Sequence, residues 1–166
     1  MIQVTGPNRL SWNGQAFTCA LGRNGVSAEK WEGDGHPPAG KFAFRQVFYR
    51  PDRVANLVTA VPAREITATD GWCDDPEHAD YNRLVTLPVD ASHEKMWRDD
   101  GLYDIVVVLG HNDDPVVPYR GSAIFMHVAT EEYRPTEGCV VLALADLVSI
   151  LAACSAEEQV QIDAPA

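Results

Sequence analysis

The sequence predicts a mainly β protein with short helices, an α+β chain folded as a single domain over residues 1–166. Three observations carry that reading. Apolar runs of strand length recur at 15–21, 42–49, 105–109 and 122–128; turn signals punctuate them; and only the segment at 144–158 makes a strong helix candidate. At 166 residues and 46% hydrophobic, the chain can bury a sizeable core within one domain.

Taken in order, Met1 to Val4 and Gln15 to Leu21 read as strands separated by Asn13-Gly14, a hairpin cue because both residues accept positive φ. The glycines and prolines of 33–40 predict a loop. Phe42 to Tyr49 is a strand, and Ile105 to Leu109 is a continuous apolar run suited to a buried central strand. Between them, Pro51 to Val89 is long, polar and punctuated, which predicts an irregular binding loop or lid. Ala91 to Asp100 reads as a short helix opened by Ser92, with Lys95 and Arg98 inside it. Ser122 to Val128 is a strand that ends near a turn at His127. A charged loop, 129–137, carries Pro135 and returns the chain to Gly138 and Cys139. From Val140 the chain runs away from that cysteine into the helix predicted for Leu144 to Glu158, with Asp146 near its start. No internal repeat or low-complexity tract is present.

Composition excludes several function classes. Lys and Arg number 13 against 24 Asp and Glu, for a net charge of −11 and a pI near 4.7. Nucleic acid is therefore not an expected partner, and acidic membrane surfaces are disfavoured. No run of about 18 apolar residues exists, so no membrane-spanning helix is expected. The first residues, Met1-Ile-Gln-Val-Thr-Gly-Pro, lack a basic region followed by an apolar stretch, so no secretory signal is read there. Cys19, Cys73, Cys139 and Cys154 have no metal-ligand spacing; their even number permits two disulfides without requiring any. Cys19 and Cys154 read as small buried hydrophobes, whereas Cys73 sits beside Trp72 in a predicted loop. No metal or other cofactor is expected. A set formed by His111, Asp113, His127 and Cys139 is chemically possible but lacks a compact signature.

The chemistry concentrates at His127 and Pro135-Thr136-Glu137-Gly138-Cys139. A free thiol is only about 3% ionised at neutral pH, so an imidazole brought to it changes its reactivity. Cys139 is the candidate nucleophile and His127 the candidate base. Gly138, without a β-carbon, lets an acyl group approach the backbone, and the Gly138 and Cys139 amides are candidate oxyanion donors. Thr136 is positioned to orient His127 or the loop. His111, where a predicted strand emerges into a turn, is a candidate pocket residue; Tyr119, Arg120, Ser122 and Arg134 complete the substrate-binding candidates, the guanidinium groups suiting a carboxylate. His36, His78 and His93 read as surface residues.

His127 followed by Thr136-Glu137-Gly138-Cys139 resembles the His, spacer, Ser/Thr-x-Gly-Cys pattern of the L,D-transpeptidase catalytic domain, the YkuD-like family. Pro38-Ala39-Gly40-Lys41-Phe42 resembles a second element of the same domain. Gly22-Arg-Asn-Gly-Val26, Glu32-Gly-Asp-Gly35, Gly71-Trp-Cys-Asp-Asp-Pro76 and Tyr81-Asn-Arg83 are similar to a proteobacterial branch without accessory domains. Two positions depart from the pattern: Val141 stands where an Arg is usual, and Glu137 where many members have His. Arg23, Arg83, Arg120 and Arg134 are the candidates to replace that guanidinium. The resemblance implies a β-sandwich catalytic fold and a cell-envelope or periplasmic setting in cell-wall biogenesis. It also implies a peptidoglycan L,D-transpeptidase that cross-links stem peptides through a cysteine thioester. The donor bond is then diaminopimelate to D-Ala or L-Ala to D-Glu, and the acceptor is the side-chain amine of diaminopimelate. Capture of the same thioester by water would give L,D-carboxypeptidase or endopeptidase activity. A non-catalytic wall-binding domain and a cytoplasmic thiol hydrolase acting on soluble peptides are the other readings.

Overall fold

Two sheets and one helix account for the regular structure of the computed structural model, which describes residues 1–165. The strands are β1 (Ile2–Val4), β2 (Arg9–Trp12), β3 (Gln15–Ala20), β4 (Gly40–Tyr49), β5 (Ala63–Glu65), β6 (Asp70–Cys73), β7 (Arg83–Thr86), β8 (His93–Lys95), β9 (Ile105–Leu109), β10 (Phe125–Val128), β11 (Val140–Leu142) and β12 (Gln159–Ile162). The helix α1 (Leu144–Ala153) lies between β11 and β12. The large sheet runs β12-β1-β2-β3-β11-β10-β9-β4-β5. Because β12 pairs with β4 as well as β1, its first eight strands close on themselves. The sandwich implied by the resemblance thus takes the form of a closed ring, with the three-stranded sheet β7-β6-β8 packed on its flank.

Period-two alternation sorts the strand side chains between two apolar layers. Ile105, Val107 and Leu109 of β9 join Met126 and Val128 of β10 in the ring interior, which Leu147, Ile150 and Leu151 of α1 help fill. Val106, Val108 and Phe125 point the other way, toward Trp72 and Met96 of the smaller sheet's layer. With both faces covered, every residue of β9 and β10 is buried, which explains the unbroken apolar run at 105–109. Phe125 is the centre of this second layer, its ring 5.1 Å from Trp72 and 6.0 Å from Tyr103 in edge-to-face geometry.

Several expected elements differ. The Asn13-Gly14 turn, with φ of 48° and 75°, joins Gln15–Ala20 to β2, a strand the sequence hid behind only two inward apolar residues, Leu10 and Trp12. The irregular segment expected at 51–89 contains β5, β6 and β7. The helix expected at 91–100 is instead β8 with turns, because pairing with β6 supplies backbone partners and the Ser92 hydroxyl donates to Asp74 rather than capping a helix. The helix expected to reach Glu158 ends at Ala153. A turn at Ser155–Glu158 then redirects the chain into β12, whose Val160 and Ile162 face the core.

Phe125→Ala is expected to lower unfolding free energy by about 3–5 kcal/mol in a urea titration, as for other buried Phe truncations. Lys41→Ala, at an exposed position on β4, should change it by less than about 0.5 kcal/mol.

Candidate active site

Strand register sets the thiol and the imidazole on one face of the sheet. β10 and β11 run parallel with Met126 opposite Val140 and His127 opposite Val141. Cys139 immediately precedes that ladder, so alternation places Cys139 and Val141 on the same face as Phe125 and His127. Both Cys139 and His127 line a cavity of about 200 Å³, with Glu94, Arg98, Tyr103, Arg134, Thr136 and Val141 among its other walls. A larger cleft of about 900 Å³ adjoins it across Pro135, but its walls carry Cys19 and no histidine, so the smaller cavity is the one that combines a thiol with an imidazole.

The chain turn before the thiol is fixed by Thr136. Its hydroxyl donates to the Cys139 carbonyl at 2.8 Å and accepts from the Cys139 N–H at 2.9 Å and the Gly138 N–H at 3.3 Å. Gly138 has φ of +142°, and a β-carbon there would stand 3.0 Å from the His36 carbonyl oxygen. Glycine is thus demanded by the neighbouring loop as well as by any approaching acyl group. The two amides expected to face an oxyanion are committed, in this resting arrangement, to the Thr136 hydroxyl.

His127 Nδ1 lies 3.0 Å from the Val128 carbonyl oxygen. A carbonyl only accepts, so Nδ1 carries the hydrogen and the neutral ring keeps its lone pair on Nε2. The Tyr103 ring packs edge-on against the imidazole at 5.1 Å. Burial lowers the His127 pKa to about 4. Burial also pushes the half-buried Cys139 up to about 12, with the Glu94 carboxylate adding to the effect. Near neutral pH the pair is therefore thiol and neutral imidazole rather than thiolate and imidazolium. The thiol meanwhile donates to the Ala123 carbonyl at 3.4 Å.

The family model of the L,D-transpeptidase catalytic domain, YkuD, matches residues 4–162. The chain belongs to that family. No curated protein and no solved structure matches it. Members of this L,D-transpeptidase family act on peptidoglycan. Among the described residues of this domain, no helix is long and apolar enough to cross a membrane.

Of the residues singled out in the sequence, Cys139, His127, Thr136 and Arg134 line this cavity, with Gly138 beside them in the chain. The others lie elsewhere. Ser122 is buried and donates to Glu32 at 2.9 Å. His111 faces a neighbouring cavity, edge-on to Phe42, with Nε2 held at 2.9 Å to the Arg120 carbonyl. The Arg120 guanidinium lies 4.5 Å from the exposed Trp31 ring centroid, and the Tyr119 hydroxyl donates to Glu77. Arg23 pairs with Glu137. At the position of the usual family arginine, buried Val141 stands directly opposite His127, and the guanidinium groups at the cavity are Arg98 and Arg134. Glu94, Arg98 and Tyr103 were not legible as site residues, because they reach the cavity only through the unforeseen β8 and its following turns.

Thr136→Val removes three hydrogen bonds and is expected to cost about 1–3 kcal/mol in chemical denaturation. Thr136→Ser, which keeps the hydroxyl, should lie close to the wild type.

Proposed function

We propose that the domain is a peptidoglycan L,D-transpeptidase in which Cys139 is the nucleophile and His127 the general base. The observation that supports it most is the shared face: thiol and imidazole line one cavity at the end of two parallel strands. As sulfur attacks the carbonyl of an L-configured stem residue, its proton passes to His127 Nε2. The tetrahedral adduct then expels the D-configured fragment, whose amine takes the proton from His127. This leaves a thioester on Cys139. A diaminopimelate side-chain amine resolves the thioester, forming the cross-link and restoring the thiol.

Because the resting pair is neutral, ionisation of sulfur belongs to the attack itself rather than preceding it. The donor is either the diaminopimelate to D-Ala bond or the L-Ala to D-Glu bond. The replacement of the usual arginine by Val141 favours the second, because it removes a carboxylate contact from the position beside His127. Arg98 and Arg134 are the groups placed to hold a stem carboxylate instead.

Purified protein incubated with defined disaccharide tripeptide and tetrapeptide should yield cross-linked dimers, read by fragmentation mass spectrometry, with the leaving fragment naming the donor bond. Cys139→Ala should lower that yield by at least about 10⁴-fold. Shortened monomers alone would make the domain a hydrolase, and no Cys139-dependent product would make it a binding domain.

Donor acylation, followed as release of the leaving fragment, has its own pH signature. The base works unprotonated, so the acid limb should fall near pH 4 rather than at the ordinary 6.5 of histidine. An acid limb that persists unchanged in His127→Asn would mean that His127 is not the base.

A further inference from the structure

Trp72 of β6 stands opposite Leu84 of β7 and opposite Glu94 of β8, so these three form a row across the small sheet. That row faces β10, since Trp72 packs on Phe125 and Leu84 joins the same apolar layer. Two of its members are apolar, as a packed face requires. The third is a carboxylate lining the cavity of Cys139 and His127.

Glu94 carries a burden with no return in donor acylation. Burial holds its carboxyl above the usual carboxylate range, and its charge opposes ionisation of the thiol. Its hydrogen-bond partner is the Tyr103 hydroxyl, and no ion pair reaches it among the described residues. The nearby cations are engaged elsewhere: Arg98 with Asp100, Arg134 with Glu132 at 3.6 Å and Lys30 with Asp34. The charged and titratable groups around it are Tyr103, Asp74, Arg98 and Glu32, with Cys139 and His127 on the same cavity. A carboxyl group with no cation partner at the wall of a thiol site suits the second half-reaction, where a cation must enter. An alkyl amine arrives as ammonium, its pKa about 10, and cannot attack until it loses a proton. The amine sheds two protons on the way to an amide and only one of them goes to the departing sulfur, so a second proton acceptor on the cavity wall has a use.

We propose that Glu94 is the acceptor-amine residue of this site, receiving the incoming ammonium group beside the Cys139 thioester and taking one proton from it. The neutral nitrogen then forms the C–N bond, and the C–S bond breaks with its electron pair going to sulfur. The second nitrogen proton passes through His127 Nε2 to that sulfur. Glu94 releases the first proton to solvent, so one ammonium and one thioester give one amide, one thiol and one proton. The inference rests on the acyl-transfer reading above and names its acceptor site.

The test is partition of a preformed thioester, with cross-linked and hydrolysed products counted in the same tube. In Glu94→Gln, the ratio of cross-link to hydrolysis with a diaminopimelate stem should fall at least about tenfold against the wild type. With hydroxylamine, which is neutral at pH 7 and needs no deprotonation, the ratio should be unchanged. Because the readout is a ratio within one acylated population, misfolded protein does not contribute to it. An equal fall with both acceptors, or no fall with either, overturns the acceptor assignment while leaving acyl transfer intact. A wild type that forms and hydrolyses the thioester but never cross-links also overturns it. A wild type that never forms the thioester overturns the acyl-transfer reading itself.

Discussion

Burial of β10 on both faces is the constraint from which the site follows. One face of the strand fills the ring with Met126 and Val128; the other carries Phe125 and His127 under the three-stranded sheet. A strand so enclosed can expose an imidazole only at its end, and it does so in apolar surroundings. The same enclosure displaces both pKa values, because each charged form would lose hydration that nothing nearby replaces. A thiol held neutral resists oxidation and adventitious alkylation, since the thiolate is the reactive species. In the proposed acyl transfer, the reactivity is then supplied by the substrate, which brings the carbonyl that sulfur attacks.

What holds the enclosure is a polar scaffold beneath the thiol. Asn82 accepts from the Trp72 indole and from the Ala123 N–H, both at 3.0 Å, and donates to the carbonyls of His111 and Asn112. One amide thus ties the small sheet to the segment entering β10, next to the Ala123 carbonyl that receives the thiol. Nearby, Tyr81 and Ser122 donate to Glu32, and the buried Lys30 pairs with Asp34 beside the glycines at 121 and 138. The stretches at 32–35, 71–76 and 81–83 that marked the family branch therefore serve geometry: they lock the loops against which Cys139 is set.

The sequence revealed the residues that act through their own chemistry and hid those that act through placement. His127 and Cys139 were readable because a histidine at a strand end and a cysteine after Thr-x-Gly carry a local signature. β9 was readable because both its faces are apolar. β8 was not: its one inward residue is Glu94, with Met96 just past its end, and a charged residue on a core face breaks the alternation by which a strand is recognised. Misreading that strand as a helix concealed Glu94, and with it Arg98 and Tyr103. β12 was hidden for a different reason, since its short alternating stretch follows a true helix with no proline or glycine to mark the break. The commitment of the Gly138 and Cys139 amides to Thr136 depends on a hydroxyl folding back over two residues, which no spacing rule reports.

The charges around the cavity constrain which substrate groups gain from entering it. Arg98 and Arg134 stand where a stem carboxylate could bind, yet each already faces an acid, Asp100 and Glu132, so a donor carboxylate exchanges one anion for another. Such an exchange orients the donor and contributes little net affinity. Glu94 has no cation to exchange, so an ammonium entering beside it gains an ion pair in a partly dehydrated setting, and the net charge of −11 favours the same sign of ligand. Donor recognition must then lean on shape against apolar walls, including Val141, where the family usually places a cation. Acceptor recognition leans on charge. On the proposed assignment, a site divided in this way discriminates amine from water at the thioester by the one property water lacks.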